Sequence, residues 1–363
     1  DSHRRQRQMC IRDRFRTVSS TTAAPLSVRG SGAMCCGWHT NGLMDPLGIF
    51  LQHPKEFVVG ARHDLVTRPL LGWWTRKLAV QPVVRRAELL RGGCSEEEAM
   101  HLNGRSLLAL ANGIAHGFGC VLFPEGTSHS LSHMVRFKTG PARTVLAAAA
   151  LAKANDLPLP HLVPVGLHFR RRELFRTDQY IEFGEPIPLT DDMVPDDMVA
   201  AVKAGEWVEP PAEIVHRIRD ELQTRLPPMT PEAATWAEHR AVHLTAHAEA
   251  RAEGHSLATW QEEVLAARKV RDAWPGRIAS FPPEPITGSR FDRANEAAEL
   301  LEQRGLDGRD LGPRGRVFRK ASLGRLPSAI ASVALFLTLL PFSITSLGPV
   351  SYTHLTLPTM AIV

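Results

Sequence analysis

Val121-Leu122-Phe123-Pro124-Glu125-Gly126-Thr127 is an apolar run that ends abruptly in a Pro-Glu-Gly turn. A short run of strand formers closed by Gly or Pro reads as a buried strand. The same shape recurs upstream in Ala33 to Trp38, which ends at His39, and in Phe57-Val58-Val59-Gly60-Ala61. Between these runs, Ser95 with Glu98 three residues later makes a capping box leading into a helix over Met100 to His116. Leu162 to Leu167 and Tyr180 to Phe183 add two more strands, and the pattern closes near Pro186. Strands alternating with helices predict an α/β fold with a largely parallel sheet flanked by helices.

Beyond Leu189 only helices are expected: Glu213 to Leu226, Thr230-Pro231 to about Ala252, Trp260 to Trp274, and Asp292 to Arg304 stopped by Gly305. This divides the chain into an α/β domain over 15–226 and a C-terminal helical appendage over 227–325. Residues 326–349 carry no charge, and the run exceeds the roughly 20 apolar residues needed to cross a bilayer. Arg314, Arg316, Arg319, Lys320 and Arg325 crowd its N-terminal side, which places that side in the cytoplasm. Pro341 interrupts the run, so a truncated re-entrant or hairpin element is as compatible with it as a single span. Membrane association at the cytoplasmic face is the expectation.

The chain ends read differently. Met9-Cys10-Ile11-Arg12-Asp13 can be encoded by ATG TGT ATA AGA GAC, whose reverse complement encodes Val350-Ser351-Tyr352-Thr353-His354. The two termini therefore resemble one library adaptor read on opposite strands, and residues 1–14 and 350–363 are expected to be read-through. The first 14 residues, with Arg4, Arg5, Arg7, Arg12 and Arg14 against two aspartates, supply more than half of the formal net charge of +5. What remains is nearly neutral, which argues against a nucleic-acid partner. Cys35, Cys36, Cys94 and Cys120 contain no Cys-x-x-Cys pair; Cys35 and Cys36 read as buried strand residues of a protein in a reducing compartment.

The candidate base is His39 and its candidate carboxylate is Asp45. A histidine can take a hydroxyl proton near neutral pH, and a carboxylate on its other ring nitrogen fixes the tautomer. On a regular helix an offset of six residues points two side chains apart, so His39 and Asp45 can meet only across an irregular segment. Asn41-Gly42 and Asp45-Pro46 supply one, with Asp45 expected at a helix N-cap. There is no Gly-x-Ser-x-Gly elbow, so direct attack in a ternary complex is expected. His239, His243 and His247 recur every four residues; with Glu and Arg interleaved they read as an exposed polar face, not a metal site.

His39-Thr40-Asn41-Gly42-Leu43-Met44-Asp45 followed by Phe123-Pro124-Glu125-Gly126-Thr127 resembles the paired signature of the glycerolipid acyltransferase superfamily. The five residues between His39 and Asp45, where four are usual, are similar to the branch of fungal-type glycerol-3-phosphate acyltransferases. Pro82-Val83-Val84-Arg85-Arg86 and Val163-Pro164-Val165-Gly166 resemble two further blocks, and the likeness covers about residues 33–190. It implies an O-acyltransferase moving a fatty acyl group from acyl-CoA or acyl carrier protein to glycerol 3-phosphate or lysophosphatidate in phospholipid synthesis. His39 and Asp45 would be catalytic, with no cofactor and no metal. Glu125, Gly126 and Thr127 would bind the acceptor, and Arg85 or Arg86 its phosphate. An Arg commonly follows the Thr in this family, whereas Ser128-His129-Ser130 follows here, so Lys138 and Arg143 are the nearest replacement cations. The rival readings are another acceptor such as dihydroxyacetone phosphate, and a catalytically silent lipid-binding scaffold.

Overall fold

The structure is a computed structural model that describes residues 15–25, 30–42, 44–62, 80–83, 95–174, 177–275, 277 and 280–311. Both expected adaptor segments, Arg85, Arg86, Cys94 and the 326–349 run lie outside the described residues. The chain up to Gly308 forms one compact unit, which includes the C-terminal helices as far as that residue.

Among the described residues eight strands make one sheet: β1 (Phe15–Thr22), β2 (Ala33–Gly37), β3 (Phe57–Arg62), β4 (Val80–Val83), β5 (Gly119–Leu122), β6 (His161–Phe169), β7 (Thr177–Phe183) and β8 (Ile187–Pro188). Their order is β1-β7-β6-β2-β5-β3-β4, with β8 paired to β6. The sheet is mixed: most of its pairings are parallel, β1 with β7 among them, and the antiparallel ones occur at β6. The pairs around β2, β3 and β5 are parallel, whereas β6 runs antiparallel to both β7 and β8. The reason is the short connection after Phe169: a parallel neighbour needs a crossover of a dozen or more residues, and only a hairpin fits there.

The described helices are α1 (Met44–Gln52), α2 (Glu96–Ala115), α3 (Gly140–Ala154), α4 (Asp196–Lys203), α5 (Ala212–Arg225), α6 (Trp236–Ala252), α7 (Trp260–Asp272) and α8 (Ser289–Gln303). The Ser95 hydroxyl accepts from the Glu98 amide at 3.2 Å and so opens α2. Helix α6 begins later than Thr230-Pro231, because Thr235 takes the cap by accepting from the Glu238 amide at 3.1 Å. Alternation along β2 sorts the core onto the two faces of the sheet. Met34 and Cys36 pack with Leu110, Ile114 and Leu146 of α2 and α3, while Cys35 packs with Ile49 of α1, Val121 and Val163. Helix α3 is buried continuously from Thr144 to Ala152, and its alanine run makes that close approach possible.

β1 was not anticipated. It pairs with β7 and is pinned where Arg16 and Thr17 bond the buried Asp178 carboxylate, Thr17 at 2.8 Å. Burial alone would raise this carboxyl; hydrogen bonds from Arg16 and Thr17, the Arg16 charge and Arg170 together bring it down to about 2. A lowered folded-state value contributes stability that is complete above the unfolded value of about 3.9 and is lost as the pH falls through the folded one. Arg16→Ala should therefore shift acid unfolding to higher pH in a circular-dichroism titration. An unchanged midpoint would mean that Thr17 and Arg170 hold the carboxylate without Arg16.

Candidate active site

Strands β2 and β5 are parallel neighbours in register from Ala33↔Gly119 to Cys36↔Leu122, so their C-terminal ends lie side by side. The loop after β2 carries His39, and the turn after β5 carries Glu125. Open α/β sheets place ligands at such strand ends.

The irregular segment between His39 and Asp45 takes the form the pairing requires. The Met44 amide bonds the Asn41 carbonyl at 3.0 Å, and Gly42 sits at φ +54°, where a side chain would be strained. Asp45 then lies inside the first turn of α1 and not at its N-cap. Its carboxylate turns back to the loop, where Oδ2 accepts from His39 Nδ1 at 2.9 Å, the Thr40 amide at 2.9 Å and the Asn41 amide at 2.8 Å. Asp45 is 0% exposed; burial pushes its carboxyl above the ordinary range, and the bonds from His39, Asn41 and Thr40 offset part of that rise. Facing a carboxylate, Nδ1 carries the proton and Nε2 keeps its lone pair. The His39 side chain is 20% exposed, and its ring stacks on Phe123 with centroids 4.0 Å apart and planes 12° apart.

Glu125 is 1% exposed and is surrounded by donors. Its Oε2 accepts from the His39 amide at 3.2 Å, while Oε1 accepts from the Val135 amide at 2.8 Å and lies 2.6 Å from His129 Nε2. The His129 amide in turn donates to the His39 carbonyl at 3.2 Å. Glu125 thus ties the His39 loop to its own turn and does not project into open space. Sequence reasoning missed His129, whose only signal was its position four residues after Glu125.

The remaining expected contacts are divided. Gly126 has φ +69°, and a Cβ built there would meet Lys138 Cδ at 2.8 Å and Nζ at 2.9 Å, so the exposed Lys138 side chain lies across this glycine. The Lys138 amide also donates to the Pro124 carbonyl at 2.7 Å, which fastens the lysine to the turn. Thr127 is exposed. Arg143 points elsewhere: it pairs with Glu209 and lies over the Trp207 ring at 5.4 Å.

Two further groups behave differently from the sequence expectation. His243 and His247 are buried, not exposed, and both reach Glu263 of α7, at 3.0 Å and 3.2 Å. Burial would raise the Glu263 carboxyl, but these two bonds, the His243 charge and Arg170 hold it far below the usual range. Among the described residues no His, Cys, Asp and Glu cluster could hold a metal. Cys35, Cys36 and Cys120 are free and buried, with thiols pushed up by burial, Cys120 to about 12, so none supplies a thiolate nucleophile.

The adjacent ends of β2 and β5 thus present a His–Asp pair beside a buried Glu turn. Residues 16–167 match the family model described as Acyltransferase. The chain is similar to glycerol-3-phosphate O-acyltransferase 2 of Saccharomyces cerevisiae, 35% identical over 28% of this chain and 13% of that protein. It is also similar to the 1-acyl-sn-glycerol-3-phosphate acyltransferase of Streptococcus pneumoniae, 26% identical over 40% of this chain and 47% of that one. It therefore spans less than half the length of either relative. The crystal structure of the 1-acyl-sn-glycerophosphate acyltransferase PlsC from Thermotoga maritima aligns with 58% of this chain and 73% of its own, at 15% identity and a TM-score of 0.35.

Proposed function

We propose that this chain transfers a fatty acyl group from an acyl thioester, acyl-CoA or acyl carrier protein, to a hydroxyl of glycerol 3-phosphate or lysophosphatidate. The observation that carries the reading is the His39 Nδ1 to Asp45 bond of 2.9 Å beside the Glu125 turn, which leaves Nε2 free to accept a proton. His39 Nε2 takes the proton of the acceptor hydroxyl as its oxygen attacks the thioester carbonyl carbon. The tetrahedral intermediate collapses, the C–S bond breaks, and the imidazolium returns the proton to the departing thiolate. Asp45 stabilises the imidazolium and keeps the tautomer. Glu125 acts as a positioning residue through the His39 amide. Donor and acceptor meet directly, since the described cysteines are sealed in the core.

Lys138, held across Gly126, is the cation assigned here to the acceptor phosphate, with Arg85 or Arg86 as a second contact. Arg143 is spent on Glu209. The uncharged 326–349 run would bring the enzyme to the membrane that holds its lipid products; no helix among the described residues is long and apolar enough to cross a bilayer.

An acceptor panel tests this assignment. Lys138→Ala should raise KM for glycerol 3-phosphate and lysophosphatidate about tenfold while leaving kcat nearly unchanged, because a lost charge-assisted contact harms recognition before proton transfer. Equal use of a non-phosphorylated acceptor, indifferent to this substitution, would reject the glycerol-phosphate assignment and leave acyl transfer standing.

A further inference from the structure

A cavity of about 490 Å³ opens where the ends of β2 and β6 face α6, α7 and α8, with Trp38 and Thr40, the two neighbours of His39, on its wall. That volume lies in the range of small-molecule sites. Charge alone selects no ligand for it, because Arg170, Arg171, Arg172 and Arg240 face Glu173, Glu263, Glu302 and Asp307. The hydrogen bonds do select one. Arg170 is spent on Asp178 and Glu263, and Arg171 on Glu302 at 2.9 Å. Trp38 Nε1, Arg172 Nη1 and Arg240 Nε are buried donors on this wall without a hydrogen-bond partner. Among the described residues, the side-chain oxygens in the same situation belong to Asp45, Gln179 and Asn295, none of which lines the cavity. A buried donor left unpaired costs about 1–3 kcal/mol. The wall therefore calls for an occupant rich in acceptor oxygens.

The position of Arg172 joins this wall to the catalytic loops. Asn41, two residues past His39, donates its side-chain amide to the Arg172 carbonyl at 3.2 Å. Arg172 Nη2 reaches the carbonyl of Ser130 at 3.5 Å, and Trp236 Nε1 donates to the same carbonyl at 2.7 Å. The guanidinium lies over the Trp236 ring at 5.0 Å, which fixes its plane. A planar guanidinium beside further N–H donors fits the three oxygens of a phosphate better than the two of a carboxylate.

We propose that this cavity is a phosphomonoester site in which Arg172 and Arg240, aided by the Trp38 indole N–H, hold the phosphate of a substrate next to His39. A phosphomonoester could arrive on the donor, as the ribose 3′-phosphate of coenzyme A, or on the acceptor, as in glycerol 3-phosphate, in which case Arg172 and Arg240 replace Lys138 as its phosphate contact. The inference rests on the acyl-transfer reading only for those two identities.

Binding can be read without turnover, from the tryptophan fluorescence of the full chain, since Trp38, Trp236 and Trp260 line the cavity. The titrants are glycerol 3-phosphate, adenosine 3′,5′-bisphosphate and, as the uncharged control, glycerol. One of the two phosphate compounds should bind, and Arg172→Ala and Arg240→Ala should each weaken it at least tenfold. Arg172→Lys, which keeps the charge and disturbs packing least, should fall between, and His39→Ala should bind as tightly as the parent. A change confined to glycerol 3-phosphate assigns the site to the acceptor; one confined to the bisphosphate assigns it to the donor. If neither compound responds to Arg172→Ala, Arg172→Lys or Arg240→Ala in folded protein, the proposal is overturned, even if acyl transfer is confirmed. Phosphate binding lost in the arginine variants of a chain that transfers no acyl group would keep the site and remove the enzymatic reading.

Discussion

His39→Ala should lower turnover by about 10²–10⁴-fold or more, the usual consequence of removing a general base, while binding of the acyl donor changes little. The ring stands outside the two core clusters of the sheet: it is 20% exposed and rests on Phe123 at 4.0 Å. The loop remains tethered without it, because Asp45 Oδ2 still accepts the Thr40 and Asn41 amides and Glu125 still accepts the His39 amide. The loss should therefore appear in kcat and in kcat/KM alike, with the thermal midpoint nearly unmoved. A full-length variant that keeps most of its turnover would transfer the base to another residue.

Glu125→Ala should do the opposite and damage the fold as much as the chemistry. Its carboxylate serves the His39 amide, the Val135 amide and His129 Nε2 in a site that is 1% exposed. Each stranded donor costs about 1–3 kcal/mol, so a loss of about 2–5 kcal/mol is expected, visible as a fall in the denaturant midpoint at constant slope. Glu125→Gln keeps an oxygen acceptor for one of the amides and should recover part of that stability. If Glu125→Ala unfolds at the parental midpoint and loses only acceptor affinity, the residue is a substrate contact and not the brace between the two loops.

Much of this arrangement was legible because it is local. The apolar runs ending at His39 and Pro124 mark β2 and β5, and the Ser95–Glu98 spacing marks the start of α2. The need for an irregular turn between His39 and Asp45 follows from helix geometry alone. What escaped depends on partners distant in sequence. β1 is a polar stretch, Phe15–Thr22, whose strand character comes from pairing with β7 more than 150 residues away. The mixed sheet turns on how β6 connects to β7. The histidines at 239, 243 and 247 look like a solvated stripe until Glu263 of the next helix is brought against two of them. Arg172 carries no local signal at all; only folding places it beside Asn41 and Ser130.

The central claim is acyl transfer to an acceptor hydroxyl with His39 as the base, and thiol release measures it most directly. Purified full chain is mixed with a long-chain acyl-CoA, and free coenzyme A thiol is followed with and without glycerol 3-phosphate or lysophosphatidate. The account predicts thiol release that requires the acceptor, matches the acylated product in amount, and disappears in His39→Ala. Binding of acyl-CoA with no acceptor-dependent thiol release from any hydroxyl acceptor would contradict it and leave a lipid-binding scaffold in its place.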